Sequence, residues 1–164
     1  HDALPICITA FYTVLVDGDD MDEPIADKVR GTLDGHIVLR RSLAQKQHYP
    51  AIDVLSSISR LHKRVSGPVT LKAVQRVKKW MADYAGQEEM ILAGVYQKGN
   101  SPEIDEAIEK HSAIEEFLCQ EENAHCSIED TLQKLSELSG VPIPKEEFVE
   151  NPVGAIKHID IKAV

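Results

Sequence analysis

The spacing of apolar residues changes near residue 69, and this change constrains the fold more than any other feature of the chain. Before it, apolar runs such as residues 6–16 are rich in β-branched side chains and lack polar alternation, which is typical of buried strands. After it, apolar residues recur every three or four positions, beginning with Leu71, Val74 and Val77, which indicates amphipathic helices. The predicted fold class is therefore α/β followed by all-α.

The same patterns place the individual elements. Strands are predicted at 6–16, 36–39 and 51–55. Helices are predicted at 24–33, at 40–47, at 69–92, from Pro102 with Ser101 as its N-cap, and from Ser127 to Gly140. A sheet usually has about five or six strands, so the first strand should need neighbours that this chain does not supply. We therefore expect the chain to be a fragment.

Charge is distributed unevenly along the sequence. Residues 28–80 contain 12 Lys or Arg against only two acids, Asp34 and Asp53, whereas residues 1–27 contain seven acids and no Lys or Arg. Residues 81–164 contain 18 acids against six Lys or Arg. The basic stretch is suited to face the phosphates of a nucleotide or nucleic acid, or to pair with the acidic tail.

Several catalytic classes lack their motifs in this sequence. There is no GxxxxGK[ST], HExxH, GxSxG or GxGxxG pattern, and the seven histidines show no metal-ligand spacing. Cys7, Cys119 and Cys126 form no CxxC pair, and their odd number favours a reducing cytoplasm over a disulfide framework. The acidic loop 17–22 lacks the ligand spacing of an EF-hand. No metal site is predicted from these residues.

The strongest candidate for chemistry is the segment 48–60, HYPAIDVLSSISR. An apolar strand is followed by small polar residues and then by Arg60. At a subunit edge, such an arginine could reach a neighbour's nucleotide, because its planar cation suits a phosphate that gains charge in the transition state. The residues alone favour a surface or ion-paired Arg60 and a Tyr49 that packs in the core over functional roles for either residue.

Four blocks of the sequence resemble the flagellar and injectisome type III export ATPases, in that family's order and at its spacing. They are ITAFYTVLVDGDDMDEPIAD (8–27), LDGHIVLRR (33–41), HYPAIDVLSSISR (48–60) and EEMILAGVYQKGNSPEIDEAI (88–108). The resemblance covers about residues 8–120. It implies the C-terminal part of a RecA-like P-loop NTPase domain, followed by a C-terminal helical domain.

The resemblance also divides the chain. Residues 1–7 do not fit the family and are expected to be a leader of artefactual origin, and residues 8–66 correspond to the nucleotide-binding domain. Residues 67–120 correspond to the helical domain, and residues 121–164 form an extension that could be a docking tail or a passive one. Arg40 departs from the family, which usually has a serine before the arginine at position 41.

Two site residues follow from the resemblance. Tyr49 corresponds to the aromatic residue that stacks on adenine, and Arg60 to the catalytic arginine that reaches the γ-phosphate of the neighbouring subunit. The phosphate loop, the Mg²⁺-positioning acid and the water-positioning glutamate belong to an upstream half that this chain lacks. The loop 99–105 corresponds to a region that faces the central stalk and export partners.

The implied full-length protein is a cytoplasmic ATP hydrolase that uses ATP and Mg²⁺, assembles as a homo-hexamer and energises type III protein export. Its implied partners are the central stalk and regulator proteins and the export chaperone–substrate complexes, at a place peripheral to the membrane export gate. No nucleic-acid partner is expected. The alternatives are a fragment of a rotary F/V-type ATP synthase catalytic subunit and a non-catalytic partner-docking module. The chain alone is expected to be inactive and to expose the apolar residues 8–16.

Overall fold

The structure is a computed structural model that describes residues 12–16 and 23–148, and the chain divides into two units, His1–Leu33 and Asp34–Val164. In the first unit, helix α1 spans Pro24–Thr32 and begins with a proline, whose missing N–H would have no partner in the first turn. Residues 12–16 form no strand. The strand prediction for 6–16 is therefore wrong over these five residues, because a strand needs a neighbour for its backbone groups and no described strand pairs with them. Residues 6–11 lie outside the described part.

The second unit contains the remaining elements. Its strands are β1 (Gly35–Leu39) and β2 (Ile52–Ser59), and its helices are α2 (Arg41–Gln45), α3 (His62–Val65), α4 (Pro68–Ala85), α5 (Glu88–Leu92), α6 (Pro102–Leu118) and α7 (Ile128–Ser139), followed by a 3-10 turn at Lys145–Glu147. The predicted order of an α/β part and then an all-α part is confirmed. No helix in the described ranges is long and apolar enough to cross a bilayer.

Strands β1 and β2 form an antiparallel pair whose register shifts between His36 and Val38. At the shift, a side chain replaces a backbone partner: the Val38 N–H donates to the Ser57 hydroxyl at 3.0 Å. The same hydroxyl donates to the carbonyl of Asp53 at 2.6 Å. Position 35, opposite the end of β2, requires glycine, because a Cβ there would lie 2.8 Å from the carbonyl oxygen of Ile58.

The core of the second unit lies between the long helices. Helix α4 packs against both α6 and α7. Ala73 of α4 and Ala107 of α6 are both completely buried, and such small residues let two helices approach closely. The rest of the buried cluster surrounds them: Val77, Trp80, Ile114, Leu135 and Ile143. Each large apolar side chain buried here contributes about 1.5–3 kcal/mol.

The predicted helix 69–92 is two helices rather than one. Helix α4 ends at Ala85, Gly86 is its C-cap, and α5 begins at Glu88. The apolar periodicity continues through this break, but glycine is a poor helix former and allows the chain to stop there. Helix α6 begins at Pro102 behind Ser101, as predicted.

Helix α7 is held at both ends by the residues that were predicted to hold it. The Ser127 hydroxyl accepts a hydrogen bond from the Asp130 N–H at 3.0 Å. At the other end, Gly140 adopts a left-handed conformation with φ 65°, which ends the helix. The chain then returns to α4, where the Glu147 carboxylate accepts hydrogen bonds from the N–H groups of Val69 and Thr70 at 3.1 and 2.7 Å. Residues 128–148 therefore complete the helical core.

Candidate functional site

The segment with the strongest sequence signal is built around strand β2. Tyr49 precedes the strand and is joined to Pro50 by a cis peptide bond, and Arg60 follows directly after the last residue of the strand, Ser59. The strand rises by about 3.3 Å per residue, so its eight residues span roughly 25 Å between the two positions. Tyr49 and Arg60 therefore belong to two separate places on the surface.

Arg60 presents its guanidinium to solvent. The residue is exposed, and its backbone N–H donates to the carbonyl of Asp34 at 2.8 Å, which fixes the backbone at the strand end. Within the described ranges, its side chain makes no hydrogen bond or ion pair. An arginine carries its charge at every physiological pH. The side chain is thus a free, fork-shaped cation, able to bind a phosphate from outside the described part.

Tyr49 is half-exposed, with 49% of its surface accessible. Its carbonyl accepts a hydrogen bond from the Gln120 N–H, just beyond the end of α6, at 2.8 Å. This bond ties the turn before β2 to the helical core. A held backbone and an open ring together form a flat, amphipathic surface that suits stacking on a base.

A charged network on the sheet was not foreseen as a site. Arg40 forms an ion pair with Asp53 and donates to the Ser56 hydroxyl at 3.1 Å. Burial raises the pKa of Asp53, but hydrogen bonds from the hydroxyl and N–H of Ser56 and from Arg40 outweigh it, so the pKa lies below its ordinary value. The sequence did offer a signal for this network, because the basic stretch 28–80 contains only two acids with which Arg40 could pair. The arginine that departs from the family pattern therefore connects the end of β1 to the segment between Tyr49 and Arg60.

An open cavity of about 500 Å³ lies on the helical side of this segment. It is lined by Arg40 and Asp53 of that network, by His48 and by side chains of α4 and α6 that include Tyr84 and Glu115. Neither Tyr49 nor Arg60 lines it, so the cavity is separate from both predicted site residues.

The loop between α5 and α6 is held by one carboxylate. Asp105 accepts hydrogen bonds from the Tyr96 hydroxyl at 2.9 Å and from the Gly99 N–H at 2.8 Å. Burial and the Asp105 carboxylate raise the pKa of Tyr96. Three large apolar side chains beside this ordered loop are exposed: Met90, Leu92 and Val95. This exposed apolar group adjoins the region 99–105 that was predicted to face partners. The acidic loop 17–22 lies outside the described residues.

Two family models match the chain. The C-terminal domain of the type III secretion ATPase EscN matches residues 67–137, and the nucleotide-binding domain of the ATP synthase alpha/beta family matches residues 5–59. The second match ends one residue before Arg60. Together they confirm the predicted combination of a nucleotide-binding part and a C-terminal helical part.

Individual proteins agree with the family models. The chain is 52% identical over 136 residues to the flagellum-specific ATP synthase of Treponema pallidum. The aligned region covers 83% of this chain and 30% of that protein. It is similar to the structure of the assembled ATPase EscN of the enteropathogenic E. coli type III secretion system, with a TM-score of 0.74 and 41% identity over 78% of this chain and 31% of that one. EscN in complex with its central stalk EscO gives a TM-score of 0.67 and 40% identity over 71% of this chain and 29% of that one. The chain spans about 30% of the length of the curated relatives it matches.

Proposed function

The chain belongs to the family of type III secretion and flagellum-specific ATPases, and from this membership we propose that it supplies two nucleotide contacts to a hexameric ATPase that energises type III protein export. Arg60 is the arginine that reaches the nucleotide of the neighbouring subunit, and Tyr49 is the residue that stacks on adenine. The observation that carries the proposal is the position of Arg60, exposed and unpaired within the described residues, directly after the segment that matches the nucleotide-binding domain.

The separation of the two residues supports action in trans. Tyr49 and Arg60 stand at opposite ends of an eight-residue strand, so one subunit does not bring both to the same nucleotide. In a ring, Tyr49 contacts the base bound to its own subunit, and Arg60 contacts the γ-phosphate bound to the next. An arginine supplied in this way stabilises the charge that develops during phosphoryl transfer.

Asp53, the carboxylate within segment 48–60, does not fit a role as a Mg²⁺ ligand. Asp53 is already engaged by Arg40 and by Ser56. In the proposed enzyme, Mg²⁺ is held by the upstream part of the nucleotide-binding domain, and this chain contributes no ligand to it.

The loop between α5 and α6 is the proposed docking surface for a central stalk and for export partners. The exposed apolar side chains of Met90, Leu92 and Val95 lie beside this loop, whose Tyr96 and Gly99 donate hydrogen bonds to Asp105. EscN, which is similar to this chain, has been seen with its central stalk EscO. The proposed place of the assembly is the cytoplasmic face of an export apparatus, where chaperone–substrate complexes and regulators would reach it.

The test is ATP hydrolysis by the full-length ATPase that contains this chain, measured across the concentrations at which the ring assembles. Arg60→Ala should lower turnover by about 10³-fold or more while assembly is retained, because the transition-state charge loses its partner. Arg64→Ala is the matched control, since Arg64 is a nearby exposed arginine with no recorded side-chain partner in the described part. It should retain turnover.

Arg60→Lys distinguishes the contribution of the charge from that of the planar guanidinium. Lysine keeps the charge but loses the planar fork, so it should restore only part of the rate. Normal hydrolysis by Arg60→Ala would show that Arg60 has no catalytic role.

A further inference from the structure

Three side chains of metal-ligating types converge at the edge of the cavity, away from Tyr49 and Arg60. The Nδ1 atom of His48 lies 3.0 Å from Oε2 of Glu115 and 3.3 Å from Sγ of Cys119. One ligand atom from each of the three residues lies within 4.8 Å of the other two. The histidine is buried, the glutamate is half-buried and the cysteine is exposed, so the cluster extends from the interior to the surface.

The fold brings these residues together from distant parts of the sequence. His48 lies in the turn between α2 and β2, whereas Glu115 is in the last turn of α6 and Cys119 is its C-cap. The Cys119 N–H donates to the Glu115 carbonyl at 2.9 Å, which keeps the helix regular up to the cysteine. Residues four apart share one face of a helix, so Glu115 and Cys119 both face His48.

The hydrogen bonds within this cluster converge on a single atom. A single ring nitrogen of histidine offers either one proton or one lone pair. Glu115 and Cys119 nevertheless both lie within hydrogen-bonding distance of the same atom, Nδ1 of His48. A cation between the three atoms would be bound by all of them at once.

We propose that His48, Glu115 and Cys119 form a binding site for Zn²⁺. Imidazole, thiolate and carboxylate are all zinc ligands, and a thiolate disfavours the hard cations Mg²⁺ and Ca²⁺. Tetrahedral bonds of about 2.1 Å to nitrogen and 2.3 Å to sulfur separate those two atoms by roughly 3.6 Å. The observed separation of 3.3 Å needs an opening of only a few tenths of an ångström. The cavity leaves the fourth position for water or another small ligand.

Bound zinc would join two parts of the second unit. The turn that contains His48 also contains Tyr49, and the Gln120 N–H already donates to the Tyr49 carbonyl at 2.8 Å. Zinc would add a metal-mediated connection between this turn and the end of α6. The site thus goes beyond the proposed ATPase function, since it links the proposed base contact to the helical core through a metal.

The experiment titrates the 164-residue chain with Zn²⁺ against a competing chelator and, separately, with Co²⁺, whose absorption reports thiolate coordination. We expect one tightly bound ion per chain and a sulfur-to-cobalt charge-transfer band. Cys119→Ser should abolish the band and weaken zinc binding by about 100-fold or more, since loss of even an outer partner of a ligand costs about 10–100-fold. Cys126→Ser, which removes the other described cysteine, should change neither.

A second pair of variants avoids disturbing the buried histidine. Glu115→Gln should weaken zinc binding, whereas Glu116→Gln, which alters the exposed neighbouring carboxylate, should not. Circular dichroism should show that both variants keep their helices. Absence of binding by the unaltered chain, or unchanged binding after Cys119→Ser, would overturn the proposal. Loss of the cobalt band in Cys126→Ser would place the ion elsewhere and overturn it as well.

Discussion

The helical core of α4, α6 and α7 and the two-stranded sheet are both rich in apolar residues, but only the helices bury most of theirs. Ile114 of α6 is 2% exposed and packs in a cluster with Trp80. In the sheet, Ile37 is 69% exposed and its neighbour on the same face, Leu39, is exposed as well. Val38 lies between them and faces the other side, where it is buried.

This difference separates what stabilises the chain from what we propose to act on a nucleotide. The helices are held by contacts among themselves and by Glu147. The sheet presents one apolar face outward, and Tyr49 and Arg60 are exposed at either side of β2. We expect protein outside the described residues to cover the apolar face. Stability should therefore depend mainly on the helices, and ATP hydrolysis on the ends of β2.

The largest expected difference in stability comes from making the same change, isoleucine to alanine, in the helical core and in the sheet. Ile114→Ala should lower the free energy of unfolding by about 2–5 kcal/mol, because it leaves a cavity in the packed core. Ile37→Ala should change it by less than about 0.5 kcal/mol, because the side chain is already exposed to solvent. Urea denaturation of both variants, with unchanged m-values, measures the two effects.

Equal losses in the two variants would remove the distinction between the regions. A larger loss for Ile37→Ala would show that the sheet face is covered in the folded chain and carries stability.

The next effect concerns ATP binding. Tyr49→Ala in the full-length ATPase should raise the KM for ATP by about tenfold, since stacking of an aromatic side chain on a base contributes about 1–3 kcal/mol. Tyr49→Phe keeps the ring and should behave like the unaltered enzyme. An unchanged KM in Tyr49→Ala would refute the stacking role. A loss of stability as large as that of Ile114→Ala would instead assign Tyr49 to the core.

A smaller effect is expected where the chain returns to α4. Glu147→Gln should lower the free energy of unfolding by about 1 kcal/mol, because the side chain caps the helix start and an amide offers only one acceptor oxygen. Glu146→Gln, at the exposed neighbour, is the control and should have no effect.

The same carboxylate predicts a pH dependence. Burial raises the pKa of Glu147, but the hydrogen bonds from Thr70 and Val69 outweigh it and hold the pKa below its ordinary value of 4.5. Because the folded pKa lies below the unfolded one, the stabilisation is complete above about pH 4.5 and is lost as the pH falls through the folded pKa. The stability difference between the unaltered chain and Glu147→Gln should shrink over that acidic range. A constant difference would contradict the role of the charge.

Local sequence signals predicted the parts of the fold that depend on neighbouring residues. Ser101 and Pro102 marked the start of α6, and Ser127 and Gly140 marked the two ends of α7. These positions could be read from the sequence because caps and left-handed glycines act within one helical turn.

Contacts between distant residues could not be read in this way. Glu147 caps α4 by accepting a hydrogen bond from the N–H of Thr70, which lies 77 residues away in the sequence. His48 meets Glu115 and Cys119 across 67 and 71 residues, so the histidines showed no metal-ligand spacing in the sequence. Such contacts follow from the packing of α4, α6 and α7, which local propensity does not determine.

The proposed roles of Tyr49 and Arg60 came from family resemblance rather than from local chemistry. From local chemistry alone, an exposed arginine after a strand is better explained as a surface or ion-paired charge. The structure adds that Arg60 makes no recorded side-chain bond within the described part and stands far from Tyr49 along β2. Both properties are compatible with the proposed contact to a neighbouring subunit.

Action across the subunit boundary is the central claim, and a mixing experiment tests it most directly. Full-length subunits with Arg60→Ala would be mixed with subunits disabled in the upstream phosphate-binding loop, and ATP hydrolysis measured after ring assembly. If Arg60 acts in trans, roughly a quarter of the interfaces in an equal mixture combine an intact phosphate loop with an intact Arg60, and hydrolysis rises above that of either variant alone. If the mixture is as inactive as its components, Arg60 acts within its own subunit or not at all, and the account is contradicted.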